Sequence, residues 1–275
     1  MLSATSADGL SWVTDNRVLL EHASVPDAIL TPEGNLRIYY VDASQMPETA
    51  NCAESTDGGA TFNALGLTIA NRTALKAVDP CIMQLQDGRY RLYFYGPTAQ
   101  DPGGTGPHSI YSAISDDGVA FTQEQQVFSY SGLVDPDVFQ VSNRRWYMFV
   151  FSLADGKTVL AKSTNGTTFR YSKRDLGLAN WGTTSPVKIG TRRWRLYAFN
   201  QQGQQTIGSF TSRNGLKWTQ EPGVRLTAGP GEQITDPQVV QLPDGSWMMF
   251  YKSELAPTPV SGGPSHSTHT LRDGR

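Results

Sequence analysis

One phrase recurs five times along the 275 residues: Ser, any residue, Asp or Asn, Gly, and then a Trp or Phe. The copies are Ser6-Ala7-Asp8-Gly9 to Trp12, Ser55-Thr56-Asp57-Gly58 to Phe62, Ser115-Asp116-Asp117-Gly118 to Phe121, Ser163-Thr164-Asn165-Gly166 to Phe169, and Ser212-Arg213-Asn214-Gly215 to Trp218. Their glycines are spaced by 49, 60, 48 and 49 residues. Asp-Gly and Asn-Gly supply the positive φ angles of a tight hairpin, the serine hydroxyl bonds the turn, and the aromatic anchors it on a core. Such a chain is built from copies of one supersecondary unit, none of which buries its apolar face alone.

A second periodic element follows each hairpin, where an Asp or Ser beside a Pro precedes an apolar strand. The copies are Val25-Pro26-Asp27, Val78-Asp79-Pro80-Cys81, Val134-Asp135-Pro136-Asp137, Thr184-Ser185-Pro186 and Thr235-Asp236-Pro237-Gln238. Each leads through a polar turn to an aromatic strand such as Leu36-Arg37-Ile38-Tyr39-Tyr40 or Trp247-Met248-Met249-Phe250-Tyr251. The unit is therefore a four-stranded sheet, and radial repetition of such sheets predicts an all-β, five-bladed propeller, with a sandwich as runner-up. The first hairpin precedes the first strand start, so the N-terminal segment is expected to supply the outer strand of the last blade. Ser267 to Gly274 resembles the segment Ile110 to Gly118 and is expected to be the third strand of that blade. Gly103 to Pro107 and Ala256 to Pro264 read as long loops between second and third strands. No boundary is visible, and 1–275 reads as one domain.

Composition agrees. The chain holds 27 Gly and 16 Pro with only 17% charged residues, a turn-rich profile. Its longest stretch free of both, Asp137 to Asp155, is β-like, which leaves no room for a helix-dominated fold. A net charge of −2 and no dense run of Lys or Arg argue against nucleic acid as a partner. No apolar run is long enough to span a bilayer, and Met1 to Ser6 lacks the charged start and apolar core of a signal peptide. A soluble monomer is expected, either intracellular or secreted with its leader absent. Cys52 and Cys81 make neither a disulfide framework nor a zinc site, and read as packed strand residues.

The strand starts of a propeller converge at one mouth of its central channel. Asp27, Asp79, Asp135 or Asp137, and Asp236 would gather there, with Ser185 in the fourth blade. Like charges in one concave site drive pKa values apart, and glycoside hydrolysis uses such a pair: one carboxylate to activate water and one acid to protonate the leaving oxygen. The structural alternative is that Asp-Pro merely caps a strand, and repeated units repeat structural residues too. Glu232, just before Thr235-Asp236-Pro237, and His108 are candidate acids, and Trp181 is a candidate stacking platform for a sugar ring. The aromatics at 12, 62, 121, 169 and 218 read as core.

Asp-Pro strand starts, aromatic second strands and Ser-x-Asp-Gly hairpins in a five-fold repeat resemble the five-bladed glycosidases of family 43 and its relatives in families 32, 62, 68, 117 and 130. The resemblance spans nearly the whole chain as a pattern. It implies a general-base Asp opening the first blade, at Asp27 or else Asp79, and an Asp in a later blade that tunes pKa, at Asp135 or Asp137. It also implies a general acid in a Glu-Gly-Pro phrase, where this sequence reads Thr184-Ser185-Pro186. The hairpin phrase resembles the Asp-box of sialidases as well, but the arginine triad and the Phe-Arg-Ile-Pro-type phrase of those enzymes are not found.

The leading expectation is a glycosidase acting on a plant, algal or microbial carbohydrate, with Ca²⁺ in the channel as a candidate ligand because a ring of aspartates and water offers hard oxygen donors. The alternative is a carbohydrate-binding or scaffold propeller that has lost its acid, the reading favoured by Thr184-Ser185-Pro186. A metal-dependent lactonase or phosphotriesterase-like hydrolase ranks third, because such sites pair Asp with Asn and Glu.

Overall fold

The computed structural model describes residues 1–96, 107–202 and 205–255. These form five four-stranded antiparallel blades, and no helix occurs among the described residues. Blade 1 is Ala23–Leu30, Leu36–Asp42, Thr49–Ser55 and Asn63–Ala64. Blade 2 is Val78–Gln84, Tyr90–Gly96, Pro107–Ser115 and Ala120–Ser131, with Thr68–Ala70 added in parallel at its outer edge. Leu133–Ser142, Arg145–Ser152, Lys157–Ser163 and Arg170–Ser172 form blade 3. Trp181–Gly190, Arg193–Asn200, Thr206–Ser212 and Thr219–Gln220 form blade 4, with Leu226–Thr227 also paired to its third strand. Each first strand packs against the first strands of both flanking blades, which closes the ring.

Blade 5 takes its first two strands, Glu232–Gln241 and Trp247–Leu255, from the end of the described chain and its last two, Leu2–Ser6 and Val13–Thr14, from the start. This corrects one expectation. The third-strand position assigned to Ser267–Gly274 is held by Leu2–Ser6, whose register runs Leu2↔Tyr251 to Ser6↔Trp247. The N-terminal segment supplies two strands rather than one, and closure joins Leu2–Ser6 to Trp247–Leu255 through a five-residue ladder. Ser267–Gly274, the loop Ala256–Pro264 and the loop positions 103–106 lie outside the described residues.

The hairpins form as their chemistry dictates. In blade 2, Gly118 N–H donates to Ser115 Oγ at 2.9 Å, while Val119 and Ala120 N–H donate to Asp117 Oδ1 at 2.8 and 2.9 Å. Gly118 holds φ +75°, and a Cβ there would stand 2.8 Å from the Tyr39 hydroxyl of blade 1, so the position suits only glycine. The closing aromatic of every hairpin meets, edge to face, the buried aromatic of the preceding blade's second strand. The pairs are Trp12 with Tyr197, Phe62 with Phe250, Phe121 with Tyr39, Phe169 with Tyr93 and Trp218 with Phe149, at centroid distances of 5.7 to 6.5 Å. Edge-to-face geometry adds about 1 kcal/mol per pair to the burial itself. Where the partner is Tyr39, Tyr93 or Tyr197, its hydroxyl also donates to the carbonyl of Gly118, Gly166 or Gly9 at 2.7 to 2.8 Å. These five joints weld each blade to the next at the end of the channel away from the strand starts.

Candidate active site

Every first strand opens with a β-bulge: the ladder skips between Ser24 and Asp27, Val78 and Cys81, Val134 and Asp137, Gly182 and Thr184, and Thr235 and Gln238. The residue entering each bulge, Val25, Asp79, Asp135, Thr183 or Asp236, has φ between +31° and +54°. Such left-handed backbone is rare outside glycine and costs most at the β-branched Val25 and Thr183. A bulge re-aims its side chains, and five in a ring create two tiers at the channel mouth.

The upper tier is Val25, Asp79, Asp135, Thr183 and Asp236; the lower is Asp27, Cys81, Asp137, Ser185 and Gln238. The expected single ring of equivalent acids is thereby corrected. Asp27 follows its proline whereas Asp79, Asp135 and Asp236 precede theirs, so Asp27 sits two residues further along the strand, opposite Tyr39 as Asp137 is opposite Phe149. In blade 4 the counterpart of Asp-Pro is Thr183-Thr184, not Ser185-Pro186, because Ser185 pairs with Tyr197.

The lower tier stitches neighbouring blades together. Asp27 Oδ2 accepts from Ile82 N–H of blade 2 at 2.7 Å, Cys81 Sγ from Val138 N–H of blade 3 at 3.2 Å, and Ser185 Oγ from Val239 N–H of blade 5 at 3.0 Å. Asp27 Oδ1 also accepts from Ala28 N–H at 2.7 Å and from the Gln238 amide. At Asp137 the pattern breaks. The equivalent donor in blade 4 belongs to Pro186, which has no N–H, and among the described residues Asp137 accepts only the Thr184 hydroxyl, on Oδ2 at 2.9 Å.

In the upper tier, Asp79 Oδ2 accepts from Asp135 N–H at 3.3 Å. Thr183 Oγ1 lies 3.0 Å from Asp135 Oδ2 and 3.1 Å from Asp236 Oδ1. A hydroxyl has a single hydrogen and serves one carboxylate; the other contact becomes a hydrogen bond when that carboxyl is protonated and donates to Thr183. The electrostatics agree. Burial, reinforced by the charges of Asp79 and Asp236, pushes Asp135 well above the usual carboxylate range. Burial raises Asp79 to about 7 against the hydrogen bond from Asp135, with the Asp236 charge adding to the rise. Asp236 is also raised by burial, opposed by Lys252. In the lower tier, burial lifts Asp27 to about 6 despite its donors, and burial with the Asp27 charge lifts Asp137 well above normal.

These raised values make stability pH-dependent with a definite sign. The folded protein holds protons that the unfolded chain releases near pH 4, so stability is greatest in acid and falls as pH rises through the folded values. The hairpin carboxylates Asp8 and Asp57 are held low by turn donors and titrate below that window. The melting temperature should therefore fall between pH 5 and pH 8. Asp79→Asn, whose amide oxygen still accepts Asp135 N–H, should recover about 2 kcal/mol at pH 8 and flatten the profile. A lower melting temperature than wild type at pH 8 would contradict this.

The mouth holds a depression of about 20 Å³ lined by Asp27, Asp135, Asp137, Thr183, Thr184 and Gln238, among others. That is room for one water molecule. Of the five carboxyls, Asp135 and Asp137 are partly exposed, whereas Asp27, Asp79 and Asp236 are buried.

Solved structures share this architecture. A thermostable family-43 glycoside hydrolase superposes with a TM-score of 0.67 at 10% identity, covering 93% of this chain and 99% of that one. A family 117 glycoside hydrolase of the marine bacterium Zobellia galactanivorans gives 0.61 at 12% identity, covering 98% and 94%. A protein of unknown function from Dyadobacter fermentans gives 0.65 at 15%, covering 92% and 83%. The fold is that of the five-bladed glycosidases. No protein-family model and no curated protein matches the sequence.

Three expected site residues lie away from the depression. Trp181, partly buried, packs between blades 3 and 4, edge-on to Phe210 at 5.2 Å and over Gly208, where a Cβ would stand 2.5 Å from its ring. Gly208→Ala should accordingly cost about 2 kcal/mol by overpacking, read from urea denaturation. His108 is buried, with Nδ1 3.0 Å from Leu133 O and its ring 4.9 Å from that of Tyr95. Glu232 is exposed and accepts Gly229 N–H at 3.2 Å, closing its own turn. Ser185 and Asp236 are buried in the lower and upper tiers.

Sequence reading missed Thr183, Cys81 and Gln238, which stand in the two tiers, and Thr184, whose hydroxyl donates to Asp137. Ring position in the repeat was the available signal, hidden because the Asp-Pro and Pro-Asp orders disguise the register. Calcium fits this arrangement poorly. Among the described residues no group of three or more His, Cys, Asp or Glu side chains is placed to hold a metal ion, and Asp27 gives both carboxylate oxygens to N–H donors. No step of the chemistry is routed through a metal.

Proposed function

We propose that the chain is a glycoside hydrolase working at the channel mouth with Asp135 as general acid and Asp137 as general base. The observation that carries this reading is the pair of partly exposed carboxyls on one strand, one sharing a proton contact through Thr183 and the other deprived of its cross-blade donor by Pro186. Asp137 takes a proton from the single water the depression admits. The water oxygen then bonds to the anomeric carbon as the glycosidic C–O bond breaks, and Asp135 delivers its proton to the leaving oxygen. Asp27 and Asp79, the bases expected from the sequence, serve instead as a blade strut and an electrostatic neighbour. Glycosidase neighbours support a carbohydrate substrate. The fold likeness also leaves a second reading, a binding propeller, favoured by Val25 and Thr183 standing where three blades carry Asp.

Reducing-sugar release from a panel of plant and algal polysaccharides, together with nitrophenyl glycoside hydrolysis, tests the proposal. Turnover of one substrate class supports it. Saturable binding of a glycan with no turnover from pH 5 to 9 would establish the binding propeller.

A further inference from the structure

The charge along the chain is far from even. Residues 144–217 hold 13 of the 23 basic residues and only 2 of the 25 acidic ones, Asp155 and Asp175. The chain shows no dense basic run, yet folding brings nine of these 13 side chains together. They gather at the ends of blades 3 and 4 opposite the channel mouth, where the first-to-second-strand turns and the hairpins lie.

Three adjoining hollows open there, of about 600, 550 and 370 Å³. Arg145 lines two of them, and Arg213, Asn214 and Trp194 join the remaining one. Their cations include exposed Arg144, Arg145, Arg192, Arg193, Arg213 and Lys217, and among the described residues no acid lines any of the three. None of these six has an ion-pair partner among the described residues.

The repeat supplies an internal control. At the first turn of each blade, blades 1, 2 and 5 carry Glu33-Gly34, Asp87-Gly88 and Asp244-Gly245, whereas blades 3 and 4 carry Arg144-Arg145 and Arg192-Arg193. At the hairpins, Asp57, Asp117 and Asp8 give way in those same two blades to Asn165 and Asn214. The turn does not require the change. Asn165 Oδ1 accepts Thr167 and Thr168 N–H at 3.0 and 3.1 Å, the bonds Asp117 makes at 2.8 and 2.9 Å. Acids are removed and cations added at four sites that converge on one surface.

We propose that this groove binds an acidic polysaccharide, one bearing sulfate or carboxylate groups, at a site separate from the channel mouth. Guanidinium groups offer paired donors to such anions. Between them stand Thr164, Asn165, Thr168 and Asn214, suited to sugar hydroxyls. The aromatic rings at the groove, Trp194 and Tyr147, are buried, so bases of a nucleic acid find no exposed stacking platform. The site stands whether or not the mouth is catalytic.

Fluorescence polarisation with labelled dextran sulfate at low salt provides the test. Wild type should bind, and binding should weaken as salt rises. The triple variant Arg145→Gln, Arg193→Gln, Arg213→Gln should lose about tenfold or more in affinity, with an unchanged melting temperature because all three side chains are exposed. Arg17→Gln with Arg89→Gln, which removes cations elsewhere, should bind as wild type. Uncharged dextran should not compete. Equal binding by wild type and the triple variant, absence of binding at low salt, or tighter binding of duplex DNA of matched charge would each overturn the proposal.

Discussion

Replacing Asp137 by Asn is expected to lower glycoside hydrolysis by about 10³-fold, the scale on which a positioned acid or base acts, while leaving the fold intact. The expectation rests on a contrast within the lower tier. Asp27 spends both oxygens on N–H donors, but Asp137 accepts a single hydroxyl because Pro186 has no hydrogen to give. Its remaining acceptor capacity faces the depression that holds one water. Asparagine keeps the size and the Thr184 contact and removes only proton-accepting power. The pH profile separates this from a packing defect. Asp137 and Asp135 are both raised by burial, so the rising limb, where Asp137 ionises, and the falling limb, where Asp135 loses its proton, should both lie well above the ordinary carboxylate range. Asp135→Asn should flatten the falling limb. Unchanged turnover in Asp137→Asn would remove Asp137 from the mechanism.

The repeat made the architecture legible. Five turn phrases and five strand starts predicted five blades and their four-strand content, because turn chemistry and hydrophobic pattern agreed at every copy. The closing aromatics at 12, 62, 121, 169 and 218 were assigned to core, and each proved to be one half of an edge-to-face joint. Residues whose role depends on register were harder to read. A bulge lets Pro26-Asp27 and Asp79-Pro80 occupy the same loop with their acids two residues apart, so matching prolines aligned carboxylates that belong to different tiers. Thr183 gave no signal of its own. It is one threonine among several, and its importance comes from standing between Asp135 and Asp236, which are separated by about a hundred residues of sequence. The basic groove was illegible for a related reason: its cations come in ones and twos from separate turns and strands of blades 3 and 4, and only the fold brings them to one face.

Asp27→Ala should be the most damaging single substitution in the channel, lowering stability by about 4 kcal/mol in urea denaturation at pH 7. Three donors lose their acceptor together: Ile82 N–H in the neighbouring blade, Ala28 N–H, and the Gln238 amide from the blade on the other side. Each buried donor left unpaired costs about 1 to 3 kcal/mol. The raised pKa of Asp27 offsets part of this, because deleting a carboxyl that burial holds near 6 also deletes its desolvation cost. Ala opens too small a space to admit three replacement waters, so the unpaired groups dominate. Asn should fall between wild type and Ala, since its amide oxygen can serve one N–H while its NH₂ faces the other donor. The opposite signs expected for Asp27→Ala and Asp79→Asn follow from wiring. Asp27 is tied by backbone donors on its own and the next strand and by a side chain across the ring, so its charge is part of how blades 1, 2 and 5 hold together. Asp79 accepts one 3.3 Å bond and is crowded by like charge. If both substitutions destabilise equally at pH 8, the two tiers do the same structural work, and the division between strut and reacting acids fails with it.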